Sequence, residues 1–394
     1  MTAAASGPRP NGIGPPPATG AWRAGDPPGA RRFADLGSLE LQLGGRLPAV
    51  RLAYETWGTL DADGSNAVLV EHALTGDSHV VGDAGPGQPT PGWWPGLIGP
   101  GAPLDTARWF VVAANVLGGA SGSTGPASTA PDGRPWGSRF PRITIRDQVA
   151  AEDLLRRRLG VPRWACVMGG SMGGMRALEW AVGRPVQVTS ALVVAVGAAA
   201  TADQIGTQST QIDVIRADPR WRGGDYYDAP PGEGPHLGLG LARKIAHLTY
   251  RSGLELEDRF GRQSQPGEDP LGHGRFAVQS YLDHHADKLA WRFDAGSYVA
   301  LTDAMNTWDV GHGRGGTARA LRQVTAGLIV AGVDSDRLYP LHLQEEIVAG
   351  APTAVGGLRV ISSPSGHDGF LLAVDQVGGL VTEAVGYARR ARAA

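Results

Sequence analysis

The sequence contains very little cysteine and lysine, and it lacks a long apolar run. Its one cysteine among 394 residues, Cys166, excludes an internal disulfide, so a reducing compartment such as the cytoplasm is expected. Lysine occurs only at Lys244 and Lys288, and a formal net charge of −2 gives no electrostatic basis for binding nucleic acid or an anionic membrane. No apolar stretch is long enough to span a bilayer. These absences, with 42% hydrophobic residues, favour a globular protein with a large core.

Composition and pattern divide the chain into three parts. Residues 1–32 are rich in Pro, Gly and Ala and have no apolar period, which predicts a disordered arm. Residues 33–200 and 311–394 alternate apolar strand-length segments with helical patterns, which predicts a core built on a mostly parallel sheet flanked by helices. Residues 201–310 are more polar and interrupt the succession of strands, so they are predicted to form an inserted helical lid.

Apolar segments give the individual elements. The predicted core strands, apart from the one before residue 171, are Leu39–Leu43, Ala49–Thr56, Ala67–His72, Trp109–Val116, Ala191–Val196, Ala326–Val333 and Leu358–Ser362. The predicted helices are Arg146–Leu159 in the core and Leu239–Tyr250, Phe276–Trp291 and Ser297–Thr307 in the lid.

The most informative segment is residues 164–180. An apolar strand pattern leads into Gly169-Gly-Ser-Met-Gly-Gly174, and a helical pattern follows. A serine on such a sharp strand-to-helix turn has a strained backbone, so the residues two before and two after it must be nearly free of side chain, as Gly169 and Gly173 are. The pattern is that of the nucleophile elbow in the α/β-hydrolase fold, with Ser171 as the nucleophile. The alternative is a tight structural turn whose serine caps the helix.

Chain order selects the partners of this serine. In the α/β-hydrolase fold the acid and then the base follow the nucleophile along the chain. Of the ten histidines, only His367 lies in a loop after the last predicted core strand, so it is predicted to be the base. Two aspartates, Asp334 and Asp336, follow the preceding strand. Spacing weakly favours Asp336, and either residue could instead cap the next helix.

An oxyanion hole needs two backbone N–H groups near the nucleophile. The fold predicts one from Met172, the residue after Ser171, and one from the loop after the third strand, at Leu74 or its neighbour Thr75. A serine, histidine and acid with this hole define acyl chemistry, but they do not separate a hydrolase from a transferase.

Short motifs along residues 35–385 carry further information. They are Tyr54-Glu-Thr-Trp-Gly58, His72-Ala-Leu-Thr-Gly-Asp77, Gly92–Gly101, Asn115-Val-Leu-Gly-Gly119, Gly122-Ser-Thr-Gly-Pro126, Gly169–Met175, Ala242–Arg251, Ser297–Met305, Asp334–Pro340 and Gly366-His-Asp-Gly-Phe370. Together they resemble the homoserine O-acetyltransferase family of the α/β-hydrolase superfamily. The resemblance implies transfer of acetyl from acetyl-CoA to the hydroxyl of L-homoserine through an acetyl-serine intermediate, in methionine biosynthesis.

The resemblance also implies roles for individual residues. The implied triad is Ser171, Asp336 and His367, and the implied substrate contacts are Arg243 for the carboxylate, Asp368 for the ammonium, and Thr75 and Tyr250 as supporting polar groups. A guanidinium and a carboxylate are suitable partners for the two charges of an amino acid.

Several questions stay open at the level of sequence. Where the family usually has Cys-Gln between Gly119 and Gly122, this chain has Ala120-Ser121, a departure that bears on the fit of the acyl donor. The alternatives are a homoserine or serine O-succinyltransferase, an esterase or thioesterase of the same fold, and a binding protein without chemistry. No bound cofactor or metal ion is expected, since acetyl-CoA is a co-substrate, and neither nucleic acid nor membrane is an expected partner. The resemblance further implies a homodimer formed through the lid helices.

Overall fold

The structure is a computed structural model that describes residues 14–393. The strands of its central sheet are β1 (Arg32–Asp35), β2 (Arg51–Trp57), β3 (Ala67–Glu71), β4 (Phe110–Ala114), β5 (Trp164–Gly170), β6 (Val188–Val194), β7 (Gly327–Val333) and β8 (Ala354–Ile361). The order across this eight-stranded sheet is β1-β2-β4-β3-β5-β6-β7-β8. Only the β1–β2 and β2–β4 pairs are antiparallel, so the predicted mostly parallel sheet is confirmed.

Helices cover both faces of the sheet. They are α1 (Ile145–Arg158), α2 (Met172–Gly183), α3 (Ala202–Arg216), α4 (His236–Tyr250), α5 (Gly253–Phe260), α6 (Ala277–Arg292), α7 (Ala295–Asn306), α8 (Thr317–Leu321), α9 (Leu341–Gly350), α10 (Gly369–Leu372) and α11 (Val374–Ala393). Apolar side chains of α1 and α2 pack in one buried cluster, and those of α11 pack in a second cluster on the other face. Because both faces are covered, every residue of β5 is buried.

The predicted core strands correspond to observed strands with one exception. The segment Leu39–Leu43 forms only the two-residue strand Leu39–Glu40, which pairs with Arg46–Leu47. The chain turns between them through Gly44 and Gly45, whose φ angles of +91° and +82° suit glycine and end the strand early. The two-residue strands Ile98–Gly99 and Leu104–Asp105 form a further small pair.

The N-terminal segment differs from the expectation. Residues 14–31 lack regular secondary structure, yet the Thr19 hydroxyl donates to Asp294 at 2.7 Å and the Trp22 amide donates to the Ala120 carbonyl at 2.9 Å. The prediction of a disordered arm is therefore wrong for these residues, while the rest of the arm, residues 1–13, lies outside the described residues. Composition could not reveal this order because the partners of the segment lie far away in sequence.

The insertion predicted at residues 201–310 is helical and contains α3 to α7. The helices predicted in it correspond to α4, α6 and α7, whereas α3 and α5 were not predicted. The buried face of α3 carries Gln204, Gln208 and Gln211 beside two isoleucines, so it shows no clear apolar period. Among residues 14–393 no single helix is long and apolar enough to cross a membrane. One bent pair of helices, Gly366–Leu372 with Val374–Ala391, reaches the length and apolar composition of a membrane span only when the two are taken together.

A buried ion pair joins the helix after Ser171 to its surroundings. The Arg176 guanidinium is fully buried and donates to Glu152 Oε1 and to the His72 carbonyl, each at 2.6 Å. Burial, and then the neighbouring Glu152 carboxylate, raise the pKa of Glu71 well above its usual value. A neutral Glu71 leaves one negative and one positive charge in this network.

We expect Arg176→Met to lower the free energy of unfolding by about 3–5 kcal/mol, because it leaves the Glu152 carboxylate buried without its cation. Urea unfolding of the purified variant measures this loss. The matched control is Arg51→Met, which removes an exposed pair with Asp35 and should change the midpoint little. Equal losses in the two variants would contradict the assignment.

Candidate active site

Three functional candidates lie at one edge of the sheet. Ser171 follows β5, Asp336 follows β7 and His367 follows β8. These strands run parallel, so their carboxyl ends meet at the same edge, where open α/β sheets bind their ligands.

The backbone at Ser171 is strained, as the motif predicts. Its φ and ψ are +57° and −126°, and α2 begins at the next residue. A Cβ at Gly173 would lie 2.2 Å from the Glu71 carbonyl oxygen, and one at Gly169 would lie 2.6 Å from the Gly173 carbonyl carbon. Glycine at both positions therefore permits the close approach of β3, β5 and α2 that forms the elbow.

The structure pairs His367 with Asp336 and not with Asp334. His367 Nδ1 lies 2.7 Å from Asp336 Oδ2, and both side chains are buried. The other oxygen of Asp336 accepts the amides of Leu338 and Tyr339 at 2.8 and 2.9 Å, which fixes the carboxylate. Asp334 instead accepts hydrogen bonds from residues 362 and 363 in the loop after β8. An ionised Asp336 requires Nδ1 to carry the proton, so Nε2 is the basic nitrogen.

The basic nitrogen of His367 is available. Within residues 14–393, Nε2 is buried without a hydrogen-bond partner, and Ser171 does not hydrogen bond to it in this structure. Phe370 packs against His367 and the elbow backbone, because its ring centre lies 5.4 Å from that of His367 and a Cβ at Gly170 would lie 2.5 Å from the same ring. Tyr339 packs on the imidazole with ring centres 5.1 Å apart.

Burial and charge act in opposite directions on His367. Burial lowers the pKa of the imidazole, but the Asp336 carboxylate and, less strongly, Asp368 raise it, and the net pKa lies above the usual value. An imidazole of this kind is a stronger base for removing a hydroxyl proton than a free histidine.

The two predicted oxyanion donors lie in the loop after β3, which carries Leu74, and at the start of α2, which begins at Met172. In the part of the chain that the structure describes, the amides of Leu74 and Met172 donate to no loop carbonyl, which leaves both N–H groups for a ligand. Thr75, the alternative donor, is held by the lid. Its carbonyl accepts from Arg292 at 2.9 Å, and its hydroxyl lies 3.4 Å from Arg243 Nη1.

The candidate substrate contacts meet where the lid covers the sheet edge. The Arg243 guanidinium lies 5.6 Å from the centre of the Tyr250 ring, and that ring lies 5.8 Å from the His367 ring. Asp368 follows His367 directly, and its Oδ2 lies 3.2 Å from Arg251 Nη2. A cation and an anion thus lie in the neighbourhood of the base, and Arg243 lowers the pKa of the Asp368 carboxyl group.

Sequence reasoning missed three residues of this site, namely Arg251, Arg292 and Tyr339. Arg251 ends the quoted segment Ala242–Arg251, and the motif did signal it. Tyr339 likewise lies within the quoted segment Asp334–Pro340, although its contact with the His367 ring depends on the folded chain. Arg292 lies in none of the quoted segments, and its contact with the Thr75 carbonyl could not be read from the sequence.

This geometry defines a class of protein. A serine on a strained elbow, with a His–Asp pair at the same edge of an eight-stranded sheet, is the arrangement of α/β-hydrolase-fold proteins. A family model described as the alpha/beta hydrolase fold matches residues 66–374.

Comparison with known protein sequences assigns the chain to one family within this class. A homoserine O-acetyltransferase of Thermobifida fusca is 65% identical over 370 residues, which cover 94% of this chain and 97% of that protein. One of Nocardia farcinica is 56% identical over 377 residues, 96% of this chain and 98% of that protein. This chain belongs to the homoserine O-acetyltransferase family within the α/β-hydrolase superfamily.

Solved structures of similar architecture include both transferases and esterases. A homoserine O-acetyltransferase from Bacillus anthracis superposes with a TM-score of 0.81 at 27% identity, covering 90% of this chain and 97% of that one. Esterase E22 superposes with the same TM-score of 0.81 at 25% identity, covering 90% and 99%. The architecture therefore accommodates both activities.

The pH dependence of acylation tests the His367–Asp336 pair. His367 must be neutral to act as a base, so acylation by an acetyl donor should fall as pH drops through a pKa above 6.5. Asp336→Asn removes the charge that raises this pKa, so the acid limb should move to lower pH while the rate falls by about 10⁴. Stopped-flow acylation with an activated acetyl ester measures both effects. Asp334→Asn is the control, because Asp334 does not contact His367, and an identical shift in that variant would refute the pairing.

Proposed function

We propose that this protein transfers acetyl from acetyl-CoA to the hydroxyl of L-homoserine through an acetyl-Ser171 intermediate, a step of methionine biosynthesis. The observation that carries the proposal is the 65% identity, along nearly the whole of both chains, to a homoserine O-acetyltransferase. The site supports it, since an elbow serine, a base and a pair of opposite charges lie together at the lid.

In the first half-reaction, His367 Nε2 takes the proton of the Ser171 hydroxyl as its oxygen attacks the acetyl thioester. The amides of Leu74 and Met172 donate to the oxyanion that forms. His367 then returns the proton to the departing thiol of CoA, which leaves acetyl-Ser171. Asp336 stays ionised and stabilises the protonated imidazole.

In the second half-reaction, the acceptor occupies the space beneath the lid. Arg243 binds its carboxylate and Asp368 binds its ammonium, with Thr75 and Tyr250 beside them. These contacts bring the acceptor hydroxyl to acetyl-Ser171, and His367 takes its proton. Water carries neither charge, so it gains none of this orientation.

An acetyl esterase is the second candidate, because esterase E22 has the same architecture. A succinyl donor is a further alternative, because Arg243 and Arg292 both approach Thr75 and could attract a second carboxylate. L-Serine, one methylene shorter, is the alternative acceptor. We favour acetyl and homoserine because the relatives that match at 56–65% identity carry that name.

We further propose a homodimer formed through the lid and a cytoplasmic location. Leu237, Leu241 and Leu248 on α4 are 65%, 40% and 43% exposed, which suits a surface covered by a second copy. The single buried cysteine suits a reducing compartment.

The proposal predicts that radioactive acetyl-CoA labels the wild-type protein stoichiometrically and that L-homoserine discharges the label as O-acetylhomoserine. Ser171→Ala should remain unlabelled because it lacks the hydroxyl that attacks the thioester. Release of CoA, followed with a thiol reagent, should accelerate when homoserine is added. Release that is indifferent to homoserine would support the esterase, faster release from succinyl-CoA would support a succinyltransferase, and stoichiometric labelling of Ser171→Ala would exclude the intermediate.

Arg243→Ala should raise the KM for homoserine by about tenfold or more, because it removes a charge-assisted contact with the carboxylate. The rate of acetyl-enzyme formation should change much less. Steady-state kinetics with varied homoserine and a single-turnover labelling assay separate the two effects. Equal damage to both half-reactions would show that Arg243 acts through the oxyanion loop at Thr75 and not on the acceptor.

A further inference from the structure

The corner between α4 and α5 rests directly on the loop that carries His367. Gly366 has a φ of +63°, and a Cβ there would lie 2.6 Å from the Tyr250 carbonyl oxygen. The Ser252 hydroxyl donates to the Pro364 carbonyl in the same loop. Arg251 lies in the middle of this contact, and its side chain is only 12% exposed. Lid and catalytic loop are therefore one packed unit at this point.

Arg251 bridges two carboxylates. Its Nη1 lies 3.0 Å from Glu255 Oε1, and its Nη2 lies 3.2 Å from Asp368 Oδ2. Arg259 Nη1 also lies 3.1 Å from Glu255 Oε1, on the outer side of this cluster. Arg251 thus lies between two carboxylates and Glu255 between two guanidiniums, so the charges of these four side chains balance. Because Arg251 shares its charge with Glu255, it offsets the charge of Asp368 only in part.

Several charged groups face Asp368. Burial raises the pKa of its carboxyl group. Arg251, which is the largest opposing influence, lowers it, as do His367 and Arg243, whereas Glu255 raises it, and the net pKa lies above the usual value. These groups come from α4, its junction with α5, α5 itself and the His367 loop. Removing Arg251 would make Asp368 still easier to protonate, and a neutral carboxyl group binds an ammonium poorly.

We propose that Arg251 is a positioning residue for recognition of the acceptor's ammonium group. It holds Asp368 through Oδ2 and leaves Oδ1 for the ammonium, and Glu255 offsets part of its positive charge. The inference rests on the proposed function, in which Asp368 binds that ammonium. It adds that selectivity for an amino acid over a hydroxy acid without the ammonium group depends on a lid residue that does not itself contact the acceptor.

The test compares two acceptors that differ in the ammonium group, L-homoserine and 4-hydroxybutyrate. Both use acetyl-Ser171 and His367, so the ratio of their kcat/KM values cancels acylation and proton transfer and reports the ammonium alone. For the wild type this ratio should fall at low pH as Asp368 takes a proton. Arg251→Met should lower the ratio at pH 7 by about tenfold or more and move its pH dependence to higher pH.

Two further variants complete the design. Arg259→Met is the matched control and should keep the wild-type ratio, because Arg259 pairs with Glu255 and lies over the Phe260 and Tyr281 rings on the outer side of the cluster. Arg251→Lys keeps the charge but lacks the fork that contacts both carboxylates, so its ratio should be intermediate. If Arg251→Met does not fold, the lysine variant decides, and a wild-type ratio in it would overturn the proposal.

The two levels of failure are distinguishable. The inference would be overturned if a folded Arg251→Met variant lost activity equally with both acceptors and the ratio kept its pH dependence. Arg251 would then contribute only to the packing of the lid against the His367 loop. A wild-type enzyme that transfers acetyl to neither acceptor, or that does not prefer homoserine, would instead contradict the proposed function.

Discussion

The strained turn at Ser171 is the constraint on which the rest of the site depends. A φ of +57° at a serine costs on the order of 1–3 kcal/mol, so the surrounding structure must enforce it. The fully buried β5 fixes one side, and α2, tied by Arg176 to Glu152 and to the His72 carbonyl, fixes the other. The same ties hold the helix that begins at Met172 against the loop that carries Leu74. The arrangement that strains the nucleophile therefore also aligns the proposed oxyanion donors.

The loop of His367 is held from two directions. Asp336 holds the imidazole from the core, and the lid corner at Arg251 and Ser252 holds the loop backbone from above. Gly366 is required at this junction because any side chain would strike the Tyr250 carbonyl. The lid therefore forms part of the base's own support, and residues in it can influence the reaction without touching Ser171.

The sequence predicted those features that local pattern or chain order determines. The elbow needs two glycines at fixed spacing from Ser171, and His367 is the histidine that follows the last strand. Asp334 and Asp336 could not be separated locally, because both lie in one loop and differ only in their folded partners, His367 for one and the loop after β8 for the other. The resemblance favoured Asp336, which is the aspartate that hydrogen bonds to His367 in the structure. The order of residues 14–31 was missed because it depends on hydrogen bonds to residues distant in sequence. The helix α3 was missed because the glutamines on its buried face leave no apolar period.

Nothing in the elbow or the His–Asp pair distinguishes transfer to an alcohol from hydrolysis, since esterase E22 superposes on this chain as well as a homoserine O-acetyltransferase does. The difference must come from groups that bind an acceptor and not water. In this chain the charged candidates lie on the lid and beside the base, at Arg243 and Asp368, and the second of these is already engaged by Arg251. A carboxylate shared between a fixed guanidinium and an incoming ammonium is oriented before the acceptor arrives. Such preorganisation lets binding energy bring a hydroxyl, in place of water, to the acyl-enzyme.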